Sequence, residues 1–152
     1  MEEAMHDAKQ ELKRVDHLIY VSLKYTRTAD VLKNVIERLL SAYDKMVLAL
    51  LRMAKEKGLI EDVSPAPLRR YEQVKETFPE EKTFLDIAEF FVYIKKLSKL
   101  EYGSECEYRR HVAMLFEIDG KKVKFDIDTA TEYYKTAKEH SLYLESHIMK
   151  ND

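Results

Sequence analysis

From Thr28 to Gly58 the chain carries no proline and no glycine before its last residue, and its apolar residues recur at steps of three and four. Leu32, Val35, Ile36, Leu39, Leu40, Tyr43, Met46, Val47, Leu50, Leu51 and Ala54 form one stripe, which Val31, Leu48 and Met53 widen. This spacing predicts an amphipathic helix of about 28 residues, roughly 40 Å long at 1.5 Å per residue. Thr28-Ala29-Asp30 supplies an N-cap with an acid in the first turn. Gly58, just past Lys55 and Lys57, supplies the stop. The whole chain holds three glycines and three prolines in 152 residues, too few breaks for a sandwich or barrel of many short strands. The expected fold is mainly α, a bundle of four to five helices in a single domain over 1–152, because a chain of this length fills one core.

The rest of the chain reads as elements packed along that helix. Leu12, Val15, Ile19 and Ser22 give a first helix over about 4–25, so that 4–58 is a helical hairpin. The segment 63–67, Val63-Ser64-Pro65-Ala66-Pro67, is the linker, since residues before proline leave the helical region. Helices then occupy 68–102. The first is short, with Pro67 at its opening position and its end at Thr77-Phe78. The second starts near Pro79 or Glu80, carries Phe84, Ile87, Ala88, Phe91, Ile94 and Leu97, and ends at Gly103.

The period next changes from helical to alternating. Val112, Met114, Phe116 and Ile118 precede Asp119-Gly120, and Val123, Phe125 and Ile127 follow it, which predicts one β-hairpin over about 111–127 with a two-residue turn. Thr129-Ala130-Thr131-Glu132 reads as a capping box opening a C-terminal helix over 129–150.

Composition narrows the function classes. The net charge of −2 removes the overall basic excess typical of nucleic-acid binders. The charged share of 36 %, with four Asn and Gln in all, has the bias of proteins that work hot. A single Cys106 allows no internal disulfide, and the N-terminus has no cationic leader with an apolar run, so a cytoplasmic location is expected. The longest uncharged apolar run, Met46 to Leu51, is far too short to span a bilayer, and no membrane partner is expected.

Catalytic signatures are lacking. His140 and His147 lie two turns apart on one face, about 10 Å along the axis, too far to share a metal ion. Glu3 and His6 give one Glu-x-x-His where helical di-metal sites need two. These histidines therefore read as solvated. Cys106 sits between Glu105 and Glu107, which disfavour a thiolate. Three glycines, at 58, 103 and 120, cannot build a phosphate-binding loop. Helical nucleotide pyrophosphatases need paired carboxylates on two helices, and Glu76, Glu80 and Glu81 with Asp86 and Glu89 match that poorly. No catalytic residue, cofactor or metal ligand is assigned.

Two functional readings follow. The first is a homo-oligomeric interaction module, a dimer without catalysis. Its copies would meet through Met46, Val47, Leu48, Leu50 and Leu51, where the long helix is apolar nearly all round. The second is an RNA- or nucleotide-binding protein. Tyr and Arg recur together at element junctions, as Tyr25 with Arg27, as Arg69 and Arg70 with Tyr71, and as Tyr108, Arg109 and Arg110 with His111. Arg pairs with phosphate in a forked geometry and aromatic rings stack on bases, so these clusters make a binding surface if the fold gathers them. In scale and layout the chain resembles the HEPN family of small helical bundles, which dimerise and act as RNases or as partners of nucleotidyltransferases. The resemblance is one of shape. The HEPN hallmark, an Arg followed after four to six residues by a His, is absent, for Arg14 precedes His17 too closely and Arg109 and Arg110 adjoin His111.

Overall fold

The computed structural model describes residues 1–150, with side chains as far as Ile148. It is mainly α, with five helices and a small antiparallel sheet before the last of them. Helix α1 is Glu2–His17 and runs on through a π turn, Leu18–Ser22, into a closing α turn, Leu23–Tyr25. Helix α2 is Ala29–Glu56, α3 is Pro67–Thr77, α4 is Lys82–Lys99 and α5 is Ile127–Lys150. The strands are β1 Gly103–Glu105, β2 Ala113–Ile118 and β3 Lys121–Asp126, in the order β1-β2-β3. None of the helices is long and apolar enough to cross a membrane among the described residues.

Helix α2 is the axis of the molecule and contacts α1, α3, α4, α5 and β2. Its boundaries are set by the residues that foretold them. The Thr28 hydroxyl accepts from the Val31 N–H at 3.3 Å. At the other end Gly58 adopts φ +75°, the Gly58 N–H donates to Lys55 O at 3.0 Å, and the Leu59 N–H donates to Ala54 O at 2.9 Å. These two bonds satisfy carbonyls that the end of a helix leaves open.

The apolar middle of α2 is enclosed by the chain's own elements. Met46, Val47, Leu50 and Leu51 expose none of their surface and Leu48 is half-buried. The assignment of this stretch to a second copy assumed that one small domain leaves it uncovered. One protomer covers it, so these residues belong to the core.

Elsewhere the sequence reading needs four corrections. Gly103 does not end a helix. Helix α4 stops at Lys99, and Gly103 opens β1, which pairs with β2 at Gly103↔Leu115, Ser104↔Met114 and Glu105↔Ala113. The hairpin is thus the larger part of a three-stranded sheet. Its strands are shorter than 111–127, since His111 and Val112 precede β2 and Ile127 already belongs to α5. The capping box at Thr129 does not form, because α5 starts at Ile127 and the Asp126 carboxylate accepts from the Thr129 N–H at 2.8 Å. The first helix is not regular to Tyr25, because the π turn holds Ile19 and Leu23 in the core while Ser22 is only half-buried.

The hairpin itself has the expected form. Asp119 and Gly120 take φ +52° and +80°, the left-handed pair that a two-residue turn between twisted strands requires. The register Phe116↔Val123 and Met114↔Phe125 puts the apolar residues of both strands on one face. Phe125 meets Tyr133 at 5.6 Å between ring centres, and Phe116 meets Tyr102 at 5.9 Å. The sheet therefore lies on the helices by its apolar side.

Candidate functional site

The loop from Cys106 to Val112 is clamped to the α1–α2 junction. The Tyr108 N–H donates to Arg27 O at 2.6 Å. The Glu107 carboxylate accepts from the Ala29 N–H at 3.2 and 3.3 Å, which caps α2 from a segment 78 residues away in sequence. Two further bonds, Arg109 N–H to Cys106 O and Val112 N–H to Arg109 O, both 3.0 Å, fold the loop into consecutive turns. Cys106 and Tyr108 adopt φ +55° and +66°. Side chains other than glycine's enter that region at a cost of about 1–2 kcal/mol each, so the clamp holds the loop in a conformation that it would not take alone.

The consequence is a cleft of about 270 Å³ between the end of α1, this loop and the start of α5. Ile19 and Leu23 form its floor. Lys24 and Arg27 approach from the first helix, Arg110 and His111 from the loop, and Asp126 and Asp128 from the α5 side. Three fixed cations and a histidine thus face two carboxylates. The Asp126 carboxylate also accepts from the Thr129 N–H as the cap of α5, and the unpaired N–H groups of that helix start add positive potential. Tyr25 and Tyr108, on either side of the clamp, are 79 % and 78 % exposed.

Two of the three Tyr-Arg clusters therefore converge. The Tyr108–Arg27 backbone bond joins the two segments, and Arg27, Arg110 and His111 line one cleft, whereas Tyr25, Tyr108 and Arg109 are not among its lining residues. The third does not join them. Arg69 pairs with Glu72 at 3.1 Å and Glu76 at 2.9 Å along its own helix. Arg70 bonds Asp44 at 2.9 Å and the carbonyl oxygens of Ser64 and Pro65 at 3.1 and 3.0 Å. That pairing fastens the linker to α2. Arg69 and Arg70 thus stand apart from the other two clusters.

The arginines differ in their pairing. Arg14, Arg38, Arg69 and Arg70 are committed to acidic side chains. Arg27, Arg52, Arg109 and Arg110 enter no ion pair among the described residues, although Asp and Glu outnumber Lys and Arg in the chain, and of these four only Arg27 and Arg110 line the cleft. Comparison with known protein families, curated proteins and solved structures finds no match to this chain.

The histidines fall into two groups. His6, His17 and His111 are exposed, but His140 and His147 are not the solvated residues expected. His140 Nδ1 lies 2.7 Å from the hydroxyl of Tyr43, which is wholly buried. Burial pushes the Tyr43 hydroxyl well above its ordinary pKa and the His140 imidazole below its own. His147 packs on Tyr143 and Phe84 at 4.4 and 5.3 Å between ring centres. Among the described residues no three His, Cys, Asp or Glu side chains stand together as a metal site.

Sequence reasoning placed Lys24 in the first cluster, as Lys24-Tyr25-Thr26-Arg27, without assigning it to the site, and missed Glu107, Asp126 and Asp128. The capping role of Glu107 depends on the fold and has no local signal.

Proposed function

We propose that this chain is a small helical module that binds single-stranded RNA through the cleft between α1, the 106–112 loop and α5. The observation that carries this reading is the convergence of Arg27 and Arg110 on one cleft with no carboxylate paired to either. An unpaired guanidinium offers five N–H donors in a fork that suits phosphate oxygens. The exposed rings of Tyr25 and Tyr108 supply stacking surfaces for unpaired bases, which is how proteins commonly hold single strands. The slightly negative net charge is compatible with this, since what counts is the local arrangement of charge.

The test is fluorescence anisotropy with a labelled oligouridylate. Affinity should fall linearly on a log–log plot against salt, because each phosphate contact releases counterions. Changing Arg109 and Arg110 together to Ala should abolish binding, while Arg69→Ala should leave the affinity unchanged. No binding at low salt, or equal losses in both variants, refutes the reading. If a mononucleotide competes as well as the oligonucleotide does per mole, the ligand is a nucleotide and not an RNA strand.

A further inference from the structure

A second basic cleft, of about 430 Å³, lies on the seam between α1 and α2 and is separate from the first. Gln10, Lys13, Arg14 and His17 line it from α1, and Asn34 and Arg38 line it from α2. Its organising group is Glu11, a carboxylate only 9 % exposed in the helix seam. Arg14 Nη1 donates to Glu11 Oε1 at 2.6 Å, and Arg38 Nη1 donates to Glu11 Oε2 at 3.4 Å. One carboxylate thus holds two guanidinium groups from two helices side by side.

The charge there does not close. Arg14 alone neutralises Glu11 at short range, so Arg38 and Lys13 leave positive charge in the seam. Each guanidinium spends one of five donors on Glu11, and the amides of Gln10 and Asn34 add two N–H donors each. Like charges held close repel, and a bound anion relieves that repulsion. Two forks fixed by a shared acid form a donor set already arranged for a tetrahedral oxyanion.

We propose that this seam binds a phosphate group, carried by the backbone of a single-stranded nucleic acid or by a small phosphorylated molecule. The proposal does not rest on the cleft of Arg27 and Arg110.

Nuclear magnetic resonance of the isotopically labelled full chain tests it with inorganic pyrophosphate as the probe. The chain has two glutamines and two asparagines, Gln10, Gln73, Asn34 and Asn151, so its side-chain amide signals are few and separable. The Gln10 and Asn34 amides should shift along a saturating curve while Gln73, held by Asp62 O and the Ser64 N–H, stays in place. Lys13→Glu, at an exposed position that leaves the Glu11 pairs intact, should weaken the site about tenfold, as loss of one charge-assisted contact does. Arg38→Ala should remove saturation. Changing Arg27 and Arg110 to Ala should leave the Gln10 and Asn34 response as it was. No shift at those two amides, or a non-saturating drift that sodium chloride of equal ionic strength reproduces, overturns the proposal. Displacement of pyrophosphate by oligouridylate identifies the backbone as the source. Displacement by a nucleoside triphosphate but not by oligouridylate identifies a small molecule.

Discussion

At the scale of single residues, two positions carry more of the fold than their size suggests. Gly120 has φ +80° and open space where a Cβ would stand, so any side chain there meets backbone strain and no clash. Gly120→Val should cost about 1–3 kcal/mol, and Gly120→Asn much less, because Asn tolerates the left-handed region. Thermal melts of the two variants check this, and equal midpoints contradict it.

The other position is His140. Burial holds its pKa below the ordinary value, while Asp86 and Glu139 act in the opposite sense, and Glu89 faces the same groove. The unfolded chain binds a proton near pH 6.5, about the free histidine value, which the folded chain resists. The unfolded state therefore binds more protons below that pH, and stability falls as the pH drops through it. His140→Gln should flatten the decline in melting temperature between neutral and mildly acid pH, and an unchanged decline would assign it to other groups. This residue was misread from sequence because helical spacing shows which residues share a face, whereas the partner, Tyr43, lies 97 positions away.

At the scale of elements, legibility followed the length of the repeating pattern. Helix α2 repeats its apolar step over eight turns, and both ends were marked by Thr28 and Gly58, so its limits were readable to within a residue or two. The Asp119-Gly120 hairpin was readable because turn chemistry and alternation agree. Strand β1 was not, since the three residues Gly103–Glu105 are too few to show a period and the glycine suggested a helix stop. The π turn was equally hidden, as one widened turn barely disturbs apolar spacing. Enclosure of Met46 to Leu51 also changes what a substitution there should do. Leu51→Glu buries a carboxylate at a site with no exposure, so several kcal/mol of stability should be lost. Circular dichroism should show the chain itself unfolding at lower temperature. A folded chain that merely loses a partner would contradict this and return Leu51 to an interface.

At the scale of the whole molecule, the site is a product of chain crossing. Residues 25–27 and 106–111 are far apart in sequence, and the Tyr108–Arg27 backbone bond and the Glu107 cap of α2 bring them together. The sequence showed three Tyr-Arg clusters of equal standing. Only the fold separates the pair that converges from Arg69 and Arg70, which are spent on Glu72, Glu76 and Asp44. On the reading proposed above, Arg27 and Arg110 act on one ligand in one cleft. The most direct measurement is a double-mutant cycle on oligouridylate binding, with Arg27→Ala, Arg110→Ala and the double variant compared at fixed low salt. Residues that share a phosphate are coupled by about 0.5–3 kcal/mol, and residues acting independently add. The double variant should bind appreciably tighter than the sum of the single losses implies. Strictly additive losses, or single variants that bind like the wild type, would contradict it.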